Sequence, residues 1–283
     1  MMRDTQRHDP SIRLTAAQIA AFRAIIYDHY HANPRPLPWR DTTDPYAILV
    51  SEIMLQQTQV DRVKGKYAEF LNLFPDIATL ASAPLPEVLT AWQGLGYNRR
   101  AVALHRCAQI VMTEHDGHFP TEVPSLEALP GIGPYTARAI ATFAFRQPTV
   151  FIETNIRTVF IHHFFHDRQG VHDREILPLV EQTLDRDNPR DWYYALMDYG
   201  VMLKKAHPNP GRRSAHHVRQ SPFKGSNREL RSRILKQLLT APSCTATELA
   251  ALLGAEPAAV KKNLLRMEDE GFIRRNDCCY TIS

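Results

Sequence analysis

"LPGIGPYT" occupies residues 129–136. Its order of glycines and prolines decides the fold. Gly131 and Gly133 allow positive φ and close backbone approach. Pro134 suits the first turn of a following helix, where its missing N–H leaves no bond unmade. The wider stretch "SLEALPGIGPYTARAIATFAF" (125–145) therefore reads as helix, tight turn, helix. Such a turn aims the free amides of a helix N-terminus outward, where they can hold a phosphate without reading sequence.

Outward from this hairpin, apolar residues keep helical spacing almost throughout. "TAAQIAAFRAIIYDHYHA" (15–32) predicts a helix capped by Thr15, and 44–74 a helix in two pieces. Shorter or further helices are predicted at 85–92, 98–115, 154–165, 173–184 and 191–203. Connections are short and marked by Pro or Gly, and no βαβ alternation is visible. The fold class expected is mainly α.

Pro, Gly, Ser and Arg accumulate in "HPNPGRRSAHHVRQSPFKGSN" (207–227), which predicts a linker. Beyond it, 227–239, 245–255 and 256–271 read as helices, and "FIRRNDCCYTI" (272–282) as a hairpin turning at Asn276-Asp277. Three helices and a hairpin make a winged helix-turn-helix, whose second and third helices would face DNA.

The hydrophobic fraction of 44% allows a sizeable core, and no apolar run reaches the ~20 residues of a membrane span. The N-terminus lacks an apolar signal core, so the expectation is an intracellular protein without membrane contact. Cys107, Cys244, Cys278 and Cys279 have no metal-ligand spacing, and no metal site is expected. Net charge is only +4, but residues 204–236 hold ten Lys/Arg against the single acid Glu229. That patch attracts phosphate backbones.

One further stretch poses a question. In "VFIETNIRTV" (150–159) an apolar, β-branched run meets Glu153 where a helix begins. A carboxylate there is a helix cap, a reagent, or both.

"LPWR", "SEIMLQQTQV", "AWQGLGYNRR", "LPGIGPYTARAI" and "IETNIRTV" occur in this order. Together they resemble the helix-hairpin-helix (HhH-GPD) DNA glycosylases, and within them the adenine-specific MutY type. The resemblance covers roughly residues 20–205. It implies a two-lobed glycosylase domain over 15–205, followed by the basic linker at 206–227 and the winged-helix module at 228–283. It also implies a base flipped out of double-stranded DNA, because the glycosidic bond cannot be reached within the stack. Gln57 matches the family's wedge residue and Tyr97 its intercalating tyrosine. Thr58 and Leu95 match positions that contact the orphaned base. Gly131, Gly133 and Arg40 are expected to hold the DNA backbone.

Removing a base develops positive charge on the sugar and negative charge on the leaving base, a task for two carboxylates. In the family pattern the acid is Glu52, protonated through desolvation. The second carboxylate falls at Glu153, where the family has Asp, and Asn155 matches the pocket asparagine. Tyr135 stands where bifunctional relatives carry the Schiff-base lysine, which implies a monofunctional enzyme. The family's four cluster cysteines begin where this chain has Lys204, so no iron–sulfur cluster is expected. A monovalent cation at the hairpin is a further implication. The family's 8-oxoguanine-checking domain is expected to be replaced by the winged helix. Other bases (thymine or uracil opposite guanine, a deaminated purine) and a non-catalytic lesion binder are the competing readings.

Overall fold

The computed structural model describes residues 12–218, 222–241 and 243–283. Fourteen helices are present among them. In chain order they are α1 (Ala16–Ala32), α2 (Pro45–Leu55), α3 (Val60–Leu73), α4 (Ile77–Ser82), α5 (Leu85–Ala91), α6 (Arg99–Glu114) and α7 (Val123–Glu127). There follow α8 (Pro134–Phe143), α9 (Thr154–Phe164), α10 (Asp173–Thr183), α11 (Pro189–Ala206), α12 (Asn227–Thr240), α13 (Ala246–Leu253) and α14 (Pro257–Asp269). Strands β1 (Cys244–Thr245), β2 (Ile273–Asn276) and β3 (Cys279–Ile282) form one antiparallel sheet in the order β1-β3-β2. No helix of the described residues is long and apolar enough to cross a membrane.

The chain divides into two compact units: 1–36 with 138–219, and 37–137 with 220–283. In the first, α1 packs with α9, α10 and α11 around aromatic rings. Phe22 meets Phe160 at 5.5 Å and Trp192 at 5.9 Å, with tilted and edge-on planes that suit the ring quadrupoles. Thr15 and Gln18 complete a capping box that starts α1 where the sequence predicts it. Tyr193 donates to the Thr149 carbonyl (2.8 Å), accepts from Phe151 N–H (3.3 Å) and stacks on the Phe151 ring. Those contacts pin the extended segment that leads into α9.

The stretch expected as a linker is not uniformly solvated. A 3-10 turn spans Pro210–Arg213, and Val171 bridges Ser214. Arg213 donates to the Ile161 and Phe165 carbonyls at the end of α9. Those carbonyls also accept from the N–H groups of Phe165 (3.3 Å) and Arg168 (2.8 Å), so the basic side chain adds a second donor at the helix end. Composition signals the turn residues but not this docking.

In the second unit, α2 is buried along nearly its whole length, from Tyr46 to Met54. A helix apolar on every side belongs at the centre of its unit. Asp44 starts it by accepting from the N–H groups of Tyr46 and Ala47. The winged-helix region comprises α12–α14 and the sheet. Its hairpin turns through Asp277 at φ +52°, in the expected place, and α13 ends at Gly254 in the left-handed region. The two-residue β1 and the short α4 were not legible: neither is long enough to show a period.

Candidate functional site

The hairpin links α7 to α8, with Ile132 N–H donating to the Leu129 carbonyl at 3.1 Å. Gly131 has φ +79°, and a Cβ there would lie 2.8 Å from the Ala103 Cβ. Only glycine fits. Gly133 departs from expectation: it does not take a positive φ, and a Cβ there would meet open space. Its role is to leave backbone uncovered before the N-terminus of α8 rather than to make the turn. Tyr135 lies half-buried in the first turn of α8.

Glu52 lies in the last turn of α2 and is 7% exposed. Two turns follow nearby in space. Gln57, exposed at φ +56°, follows α2, and Tyr97, at φ +46°, precedes α6. Non-glycine residues in that region are strained and persist only when their surroundings hold them. Arg100 does the holding. Its Nη1 donates to the carbonyls of Ile53 (2.6 Å), Met54 (2.9 Å) and Gln56 (2.6 Å). Its Nη2 donates to Thr58 Oγ1 (3.1 Å) and to the Leu95 and Gly96 carbonyls (3.3 and 3.1 Å). The guanidinium thus caps the end of α2 and ties both turns together. Burial lowers its pKa to about 10, so it stays charged at neutral pH. Sequence reading quoted Arg100 inside "GLGYNRR" without assigning it a task.

Leu95 and Thr58 are placed differently from a pair of outward contacts. The Leu95 side chain is 3% exposed, and its carbonyl faces Arg100. Thr58 Oγ1 is engaged with Arg100, the Gln56 carbonyl and the Leu95 carbonyl. Tyr97 receives a 2.6 Å hydrogen bond on its hydroxyl from Arg228 Nη1, whose guanidinium lies 5.5 Å from the ring centroid. Arg40 ends a 3-10 turn (Pro38–Arg40) and is half-buried.

In the first unit, Glu153 is the N-cap of α9, so the cap reading of "VFIETNIRTV" holds as geometry. Its Oε1 accepts from the N–H groups of Asn155 (2.6 Å) and Ile156 (2.9 Å), and Oε2 from Asn155 Nδ2 (3.2 Å). Asp44 makes the same pair of contacts at the start of α2, so the cap does not depend on the extra methylene. Lys204 Nζ, on α11, donates to Asn155 Oδ1 at 2.7 Å. Asn155 therefore stands between a carboxylate and an ammonium. Gly200 makes room for it: a Cβ there would lie 2.5 Å from the Asn155 carbonyl oxygen.

A cap at the positive end of the helix dipole favours the ionised acid. Desolvation outweighs it. Burial raises the Glu153 pKa above the ordinary glutamate value, against the backbone N–H groups of Asn155 and Ile156 and the charges of Lys204 and Arg157. Burial also lowers the Lys204 pKa, opposed by the charge of Glu153. In the sequence Lys204 stands out as the start of the basic patch and as a replacement for cysteine. Its partner could not be foreseen, because 49 residues separate it from Asn155.

The residues at the expected cluster position do not fit iron–sulfur ligation. Lys204 offers an ammonium engaged with Asn155, not a thiolate. The four cysteines lie on α6, on β1 and around the β2–β3 hairpin. Among the described residues no group of three His, Cys, Asp or Glu is placed to hold a metal ion.

The glycine-tight hairpin between α7 and α8 is a helix-hairpin-helix motif, and α12–α14 with the sheet make a winged-helix region. Residues 50–181 match the model of the HhH-GPD superfamily of base excision DNA repair proteins, and 227–274 match a winged helix-turn-helix DNA-binding model. Among curated relatives, the adenine DNA glycosylase of Buchnera aphidicola subsp. Baizongia pistaciae is 34% identical over 64% of this chain and 52% of the relative. That of Mycolicibacterium smegmatis is 46% identical over 47% of this chain and 45% of the relative. The chain thus spans about half the length of these relatives. A solved thermostable thymine-DNA glycosylase superposes with TM-score 0.58 and 26% identity, covering 65% of this chain and 86% of that one. A trapped endonuclease III–DNA intermediate shares the fold, with TM-score 0.53 and 18% identity over 75% of this chain and 92% of that one.

Proposed function

We propose that the protein is a monofunctional DNA glycosylase that flips a base out of duplex DNA and hydrolyses its N-glycosidic bond, with adenine as the base. The observation that carries the reading is the Glu153–Asn155 pair at the head of α9: a half-buried carboxylate with a short cap geometry and a cation behind it. The relatives named adenine DNA glycosylases direct the choice of base.

In this reading Glu52, buried in α2, donates a proton to the departing purine and makes it a better leaving group. Glu153, ionised, offsets the positive charge that grows on the sugar. Water then supplies the hydroxyl of the abasic product. Asn155 keeps the Glu153 carboxylate oriented, and Lys204 keeps Asn155 oriented. Gln57 and Tyr97 fill the space the base leaves. The Gly131–Gly133 turn and Arg40 grip the backbone. Tyr135, a phenol, cannot form the Schiff base that would cut the strand. No iron–sulfur cluster takes part.

The test is a set of labelled duplexes with adenine opposite each base, and thymine or uracil opposite guanine. Base removal is read as strand scission after alkali. Scission at adenine, and none before alkali, is the expected result. Scission at thymine alone would move the assignment to the relative with the thymine specificity, and borohydride trapping of an adduct would refute the monofunctional mechanism.

A further inference from the structure

A cleft of about 1410 Å³ lies within the second unit, between the Gln57 and Tyr97 turns and the winged-helix residues. It exceeds the roughly 300–1,000 Å³ of small-molecule pockets. Arg62 and Arg99 line one wall, and Arg228, Arg231, Lys236 and Arg266 the other. Among the described residues Glu270 is the only acid in the lining, and it is shared: it pairs with Arg99 at 3.6 Å, with Arg266 at 3.2 Å and with Arg231. Arg100 lines it as well, and seven cations against one carboxylate leave a strong positive excess in a concave space, where field lines concentrate. Two aromatic rings open onto it. Tyr97 is half-buried with Arg228 against it, and Phe223 is 53% exposed, a large apolar side chain with no core role.

A polyanion satisfies the charges, and stackable rings satisfy the aromatics. Backbone-tracking cations interleaved with aromatic platforms bind unpaired nucleic acid. We infer that this cleft binds a single-stranded segment of DNA, with phosphates along the Arg62 and Lys236 walls and bases against Phe223 and Tyr97. The inference rests on DNA being the substrate. It adds a second function to the winged helix: besides any duplex contact through α13 and α14, its helix α12 forms one bank of a strand channel beside the flipping wedge.

The test uses the full chain and a fluorescein-labelled oligothymidine of twelve nucleotides, followed by anisotropy over a salt series. The unmutated protein should bind it, and the double variant Arg62→Glu, Lys236→Glu should bind at least about tenfold more weakly. Arg62→Gln, Lys236→Gln should weaken binding less and lower the salt slope by about 1.4, since each phosphate contact on a single strand contributes ~0.7. The neutral pair also serves if the reversed pair fails to fold by circular dichroism. Absence of binding by the unmutated chain, or equal binding by the neutral pair, would overturn the inference. Base removal from an adenine-containing duplex by the unmutated chain is measured in parallel. If it fails while oligothymidine binding responds to the variants, the cleft assignment stands and the enzymatic reading falls. If it succeeds while the variants bind normally, the reverse holds.

Discussion

Among the described residues, two helices begin with a glutamate whose side chain caps them. Glu256 caps α14 by accepting from the N–H groups of Ala258 (3.1 Å) and Ala259 (2.8 Å). Glu153 caps α9 by accepting from Asn155 and Ile156. Each accepts from the N–H groups two and three residues on. The surroundings differ. Glu256 is exposed, and its charge answers only the helix dipole and water. Glu153 is desolvated, braced by Asn155 Nδ2 and backed by Lys204 through Asn155 Oδ1. A cap satisfies orphan amides wherever it stands. It becomes a reagent only where burial gives its protonation state a free-energy consequence.

The largest effect expected from that contrast is on turnover. Glu153→Gln keeps the shape and removes the charge, so single-turnover base removal should fall by at least about a thousandfold. Glu256→Gln should leave the rate unchanged. Equal rates for Glu153→Gln and the unmutated chain would remove Glu153 from the mechanism. Gly200→Ala comes next. The new Cβ must push Asn155 aside, so base removal should drop by about 100-fold, with a stability loss of about 1–3 kcal/mol on urea titration. Preserved turnover would show that Asn155 need not be held where it is.

The pH dependence is smaller but sharper. Glu153 must be ionised to act, and burial raises its pKa, so the rate should fall with decreasing pH at values above those of an ordinary glutamate. Lys204 lowers that pKa by its charge, so Lys204→Met should move this acid limb to still higher pH. A limb that stays in place would break the link between the two. The stability counterpart has a definite sign. A carboxyl whose folded pKa is raised favours the fold at low pH and loses that contribution as pH rises through the folded value. The stability of Glu153→Gln relative to the unmutated chain should therefore increase from acid to neutral pH. The smallest effect falls on the exposed cap: Glu256→Gln should cost about 0.5 kcal/mol, read from thermal melts.

Much of this was legible before the structure. Helical periodicity, Thr15, Gly131, Pro134 and Gly254 act through the backbone within a turn or two of themselves, and such effects are written locally in sequence. The cap role of Glu153 belongs to the same class. What was hidden was long-range. Arg100 gathers carbonyls from residues 44–47 positions away, and Lys204 reaches back 49 to Asn155. Gly200 looks like a weak spot in a helix until Asn155 is seen against it. The balance that raises the Glu153 pKa could not be read at all, because desolvation depends on what the rest of the fold places around the carboxylate.

The two compact units are each assembled from separated pieces of chain, 1–36 with 138–219 and 37–137 with 220–283. During synthesis α1 leaves the ribosome long before α9–α11 exist to cover it. At about 5–20 residues per second that wait is on the order of ten seconds. Its Phe22 and Ile26, buried in the finished unit, are exposed to solvent or chaperone meanwhile. The interleaving also means that no single cut yields either unit whole. A nick in the 207–227 stretch would leave the second unit short of α12–α14. Limited proteolysis should thus produce fragments that remain associated rather than two separable domains.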